Sequence, residues 1–80
     1  MKLEIITPEK NVFSGEVDVV TLPGVDGQFQ ILKDHAPMVS TLKTGDLIYT
    51  VGGKTETIVV DGGVVQILNN KVLVLAEGIA

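Results

Sequence analysis

Residues 2–7 alternate, with Leu3 and Ile5 on one side and Lys2 and Glu4 on the other, the period of a half-buried strand. Pro8 closes this segment, and Glu9, Lys10 and Asn11 read as a turn that leads into Phe13-Ser14-Gly15, a buried aromatic anchor at the entry to a further turn. A second strand is expected over residues 17–22, stopped by Pro23-Gly24, and a third over residues 28–32 after a tight turn in which Gly27 supplies a positive φ. Residues 33–37 are expected as a loop, because Pro37 drives Ala36 toward extended geometry. Residues 47–51 and 55–60 form the clearest hairpin, joined by Gly52-Gly53-Lys54, whose paired glycines permit a type I′ turn. Residues 64–68 and 71–76 flank Asn69-Asn70, and asparagine tolerates the left-handed region well enough to close a second hairpin. Val72, Leu73, Val74 and Leu75 are apolar on both faces, which places them at the centre of a layered structure or against another protein. Asp61-Gly62-Gly63 marks a bulge or corner where strands change sheet. No segment carries a helical period free of glycine, proline and β-branched clusters, so helix content should be close to nil. Many short strands with Gly and Asn turns predict an all-β sandwich or barrel.

Composition sharpens this reading. The chain has 80 residues, enough for one domain whose folding removes about 60% of the extended surface from water. Hydrophobic residues make up 45% and aromatics only 4%, so the core has to be built from Val, Ile and Leu. A mean hydropathy of +0.41 points to apolar surface reserved for a partner. Apolar runs fall far short of the roughly 20 residues that span a bilayer, and the first residues lack the features of a signal or transit peptide. A bacterial cytoplasmic location is therefore expected. The net charge of −4 and six scattered basic residues provide no stripe for a nucleic acid, and anionic lipid would repel the chain.

The candidate chemistry is sparse. His35 beside Asp34 suggests a general base, but neighbours on an extended segment point to opposite sides, and neither Ser14 nor Ser40 stands out as a nucleophile. One His and no Cys make a metal site unexpected, and no cofactor is expected. Gly24 and Gly27 lack the following helix and the Gly-Lys-Ser/Thr that a phosphate loop needs, so they read as a turn.

In order along the chain stand Phe13-Ser14-Gly15, Gly24-x-x-Gly27, Ile31-Leu32-x-x-His35-Ala36-Pro37 and Leu42-x-x-Gly45. Val60-Asp61-Gly62-Gly63-Val64-Val65-Gln66-Ile67 and Asn70-x-Val72-x-Val74-Leu75-Ala76 follow. Over essentially its whole length this pattern resembles the epsilon subunit of F-type ATP synthases. The resemblance implies a single domain over residues 1–80, a flattened two-sheet sandwich of about ten short antiparallel strands. It also implies that the family's C-terminal helical hairpin, which carries a brake on ATP hydrolysis, is absent.

By the same resemblance the function would be that of a non-catalytic rotor subunit of a proton-translocating synthase, linking the gamma subunit to the c ring for coupling and assembly. It would lie peripherally on the cytoplasmic face of the bacterial inner membrane, touching the membrane only through the complex. The matching c-ring turn is Val25, Asp26, Gly27 and Gln28, where Gln28 replaces an acid common in relatives. The matching gamma-side positions are Thr7, His35, Ala36, Pro37, Met38, Ser40 and Leu42, with His-Ala-Pro-Met exposed as a rigid contact segment. A lipoyl or biotinyl carrier domain is the main alternative, with Lys54 or Lys71 at a hairpin tip. Neither lysine has the Met-Lys-Met or Asp-Lys-Ala setting of a modified residue.

Overall fold

The computed structural model describes residues 1–80. Seven strands follow one another: β1 (Lys2–Ile6), β2 (Asn11–Glu16), β3 (Val19–Gly24), β4 (Gly27–Ile31), β5 (Met38–Val51), β6 (Lys54–Leu68) and β7 (Lys71–Ala76). The all-β class matches the sequence reading, but the count and pairing differ from the expected ten short antiparallel strands. One continuous hydrogen-bonded sheet runs β2-β1-β7-β6-β5-β3-β4, and β1 pairs with β7 in parallel.

Two strands do the work of several. β5 and β6 are 14 and 15 residues long and pair over nearly their full lengths. Residues 38–42 and 63–68 lie in the half of the sheet that includes β7, β1 and β2, whereas residues 44–51 and 54–61 lie in the half that includes β3 and β4. The pairing register passes over Lys43 and Gly62 between the halves, where Gly62 (φ 75°) and Gly63 (φ 129°) adopt conformations that a side chain resists. The corner expected at Asp61-Gly62-Gly63 is thus a bend within one strand.

Folding the sheet over on itself lets period-two alternation bury one face of each half in a common core. Leu3, Ile5, Val65, Ile67, Val72 and Val74 come from the first half, and Val20, Leu22, Ile31, Leu47, Tyr49 and Val60 from the second. Thirteen of the fifteen core residues are Val, Ile or Leu, as the scarcity of aromatics requires. The Phe13 and Tyr49 rings meet at 4.5 Å and 38°, joining the edge strand β2 to β5. Burial pushes the Tyr49 hydroxyl above the usual tyrosine range, and the Glu56 carboxylate on the paired strand adds to the shift.

Several segments depart from the sequence reading. Phe13-Ser14-Gly15 is not the entry to a turn but the middle of β2, and Asn11 belongs to that strand instead of the preceding turn. Pro23-Gly24 ends β3 from inside it. β5 begins at Met38, nine residues before the expected strand over residues 47–51. The two predicted hairpins are present: Gly52 and Gly53 (φ 55° and 83°) and Asn69 and Asn70 (φ 52° and 61°) form two-residue loops of the I′ kind.

Candidate interaction surface

The outer face of the first half follows directly from the register. One cross-strand row runs Thr41–Val64–Leu75–Ile6, and the next runs Val39–Gln66–Leu73–Glu4. Leu68 and Lys71 begin a third row, in which Lys71 pairs with Lys2. Val39 is 70% exposed, Leu68 48%, Leu75 47% and Val64 38%, so four large aliphatic side chains face solvent on one flat patch. A Lys71–Glu4 ion pair at 3.1 Å borders it. The outer face of the other half is more polar, with Thr21, Ile48 and Thr57 in one row, Val19, Thr50 and Thr55 in the next, and Asp46 beside the exposed Val59 in a third. The larger and more exposed aliphatic cluster is thus the one on the first half, the form an interaction surface takes.

Shallow clefts open along this apolar face. One, about 310 Å³, is lined by Gln66, Leu68, Asn69, Lys71 and Leu73. The other, about 360 Å³, is lined by Ile6, Thr7, Pro8, Leu75, Ala76 and Glu77. Thr7 is itself buried, and its Oγ1 accepts from the Glu9 and Lys10 amides and donates to the Lys10 carbonyl. It shapes the tight turn after β1, beside the cleft that it helps to line.

The segment expected to meet a partner divides by strand alternation. Met38, Ser40 and Leu42 oppose Ile67, Val65 and Gly63, on the core side of the sheet. Leu42 belongs to the core, Met38 packs against it and Ser40 is half-buried. Met38 is therefore half-buried with its side chain on the core side, where the sequence reading has it exposed. Val39 and Thr41, between them, point outward. His35, Ala36 and Pro37 form the loop before β5, where Ala36 and Pro37 are exposed and His35 is half-buried. His35 Nδ1 lies 2.7 Å from the Ala36 carbonyl oxygen, to which it donates in the Nδ1-protonated tautomer. The Asp34 amide donates to Asn70 Oδ1 at 3.0 Å.

Val25, Asp26, Gly27 and Gln28 are all exposed at the β3–β4 tip, and the Val25 amide donates to the Thr41 carbonyl. This tip and the His35 loop thus flank the two ends of residues 38–42, roughly 13 Å apart along the strand. Val39 lies between them. Val39, Val64 and Leu75 were not among the expected contact positions. The signal that could have located them was the doubly apolar run over residues 72–75, whose outward members are Leu73 and Leu75.

The molecule is thus a small all-β domain with an aliphatic sheet face flanked by two exposed turns. A family model described as the ATP synthase Delta/Epsilon chain beta-sandwich domain matches residues 1–80, and the chain belongs to that family. The chain is 50% identical over 77 residues to the ATP synthase epsilon chain of Carboxydothermus hydrogenoformans, covering 96% of this chain and 58% of that protein. It is 47% identical over 76 residues to the epsilon chain of Desulforamulus reducens, covering 95% of this chain and again 58% of the relative. The chain thus spans little more than half the length of these relatives. A chain in a structure of Euglena gracilis mitochondrial ATP synthase shares the fold, with TM-score 0.91 and 22% identity over 98% of this chain and 51% of that one. A chain in the Tetrahymena thermophila mitochondrial ATP synthase central stalk/c-ring structure matches at TM-score 0.85 and 15% identity, covering 99% and 64%. The family match removes the carrier-domain alternative. Lys71, one of its two candidate lysines, is held in the ion pair with Glu4.

Proposed function

We propose that this domain is a non-catalytic part of a rotary ATP synthase rotor, holding a gamma-type subunit on its aliphatic face and meeting the c ring through the β3–β4 tip. One observation carries the reading: Val39, Val64, Leu68 and Leu75 stand exposed together beside the His35-Ala36-Pro37 loop in a chain of the epsilon family. Burying a contiguous aliphatic patch against a partner supplies association energy without any bond chemistry. The gamma-side surface then consists of His35, Ala36 and Pro37 with Val39, Thr41, Val64 and Leu75. Met38, Ser40 and Leu42 support it from the core side, and Thr7 shapes its rim.

Val25, Asp26, Gly27 and Gln28 supply polar and backbone groups for the ring contact, with Asp26 as the only charge in that tip. The two halves of the folded-over sheet act as the two layers of a sandwich, one body that carries load between a partner on its aliphatic face and one at the β3–β4 tip. No helix is long and apolar enough to cross a membrane. The net charge of −4 favours attachment through protein over attachment to anionic lipid. The domain accordingly resides peripherally, on the cytoplasmic face of a bacterial inner membrane, when bound to its complex.

Mixing the purified chain with a gamma subunit and measuring complex formation by gel filtration and calorimetry tests this assignment. Val39→Glu should weaken the complex about thirtyfold or more, equivalent to roughly 2 kcal/mol, while leaving the thermal midpoint of the free domain nearly unchanged. Undiminished binding by that variant would overturn the assignment of the face.

A further inference from the structure

The loop that precedes β5 is attached to the molecule in an unusual way. Among residues 32–37, one hydrogen bond reaches the rest of the protein: the Asp34 amide to Asn70 Oδ1, across 36 positions of sequence. The remaining polar contact, His35 Nδ1 with the Ala36 carbonyl, is internal to the loop. Pro37 restricts Ala36 as well as itself, so His35, Ala36 and Pro37 form a stiff unit continuous with β5. Asp34, at φ 62°, is the point where the chain bends away from that unit. The direction in which the unit is presented therefore depends on what holds Asp34.

Asn70 is suited to this role. It occupies the second position of the β6–β7 turn at φ 61° and is half-buried, and its carbonyl oxygen accepts from the Lys2 amide at 3.1 Å. Its backbone is thus fixed from two sides, by the hairpin and by the start of β1, and its side chain alone reaches the β4–β5 loop. Asn69, its neighbour with nearly the same φ of 52°, is exposed and makes no side-chain hydrogen bond within the protein. A turn-forming asparagine needs only tolerance of positive φ. The bond to Asp34 is additional to that requirement.

We infer that the Asn70 side chain is a positioning residue, which presents His35-Ala36-Pro37 to the partner docked on the adjacent aliphatic face. The inference rests on the proposed gamma-side surface and extends it to a residue that need not touch the partner. It couples the β6–β7 hairpin to the loop, so that the hairpin and the partner-facing segment move as one piece.

Asn70→Gly separates the two roles, because glycine at this position suits a type I′ turn better than asparagine while removing the side chain and its acceptor. Exchange of the Asp34 amide and affinity for a purified gamma subunit are measured on the same variants. Asn70→Gly should speed that exchange and weaken binding, each by about fivefold, the worth of one net hydrogen bond. Asn70→Asp, which restores an acceptor oxygen, should recover both, and Asn69→Gly should change neither. Unaltered exchange in Asn70→Gly overturns the clamp, and faster exchange with unaltered binding overturns its role in presentation. Failure of the unmodified chain to bind gamma overturns the proposed surface instead, and amide exchange alone then decides whether Asn70 holds the loop.

Discussion

Gly63 shows most plainly how a single residue decides this fold. A Cβ there would fall on the Leu75 carbonyl oxygen and against the Ala76 backbone, and the φ of 129° is one that L side chains rarely adopt. Gly63→Ala should therefore cost more than about 3 kcal/mol, read as a lowered midpoint in thermal unfolding. Gly52→Ala makes the comparison, because its φ is also positive at 55° but nothing lies within 4 Å of the added methyl. That substitution should cost only about 1 kcal/mol. Equal losses at the two sites would show that backbone conformation, and not the closeness of β7, is what demands glycine at 63. The sequence flagged the glycine pair as a corner, since Asp61-Gly62-Gly63 interrupts an aliphatic run. It could not show that Gly63 is crowded by a strand twelve residues further on, because that contact exists only after β6 and β7 pair.

At the scale of the element, β5 is the least legible segment and the most consequential. Ser40, Thr41, Lys43 and Thr44 give its first half a polar composition, and the helix and strand periods are both weak there. It is a strand because β6 pairs with it over nearly its full length and β3 along part of the other side, a stabilisation that local propensity does not contain. With only residues 47–51 of this strand legible, the alternation that turns Val39 outward and Met38 inward stays hidden, so neighbours along the chain mix surface with core. Met38→Glu should consequently destabilise the free domain by about 2 kcal/mol, since it places a carboxylate against the apolar core. Chemical denaturation of the isolated variant checks this, and a stability equal to that of the unmodified chain would return Met38 to the surface. β2 escaped notice for a related reason. As an edge strand with half-buried Val12 and Phe13, it has too few apolar positions to announce itself. The two I′ hairpins were legible because Gly52-Gly53 and Asn69-Asn70 encode their conformation locally.

The molecule as a whole behaves as one cooperative body, because β5 and β6 pass through both halves and the fifteen core residues form a single cluster. Urea unfolding followed by Tyr49 fluorescence, which reports the contact of Tyr49 in the second half with Phe13 in the first, and by far-ultraviolet circular dichroism, which reports the whole, should give coincident transitions. Separate midpoints would mean that the halves unfold independently. Tyr49 is the only tyrosine, and no tryptophan competes with its signal. The same unity places the β3–β4 tip and the His35 loop on one frame, as the proposed transmission of load between two partners requires. By itself the sequence determined the all-β class, the aliphatic make-up of the core, the two tight hairpins and the family, all of which rest on composition, local φ preferences or short motifs. Tertiary structure alone decided the parallel β1–β7 pairing, the number of strands, the fold-over at Lys43 and Gly62, and which side of β5 meets solvent. Those features depend on contacts between residues as distant as Leu3 and Val72, whose pairing becomes favourable only when the intervening chain has already been brought into register.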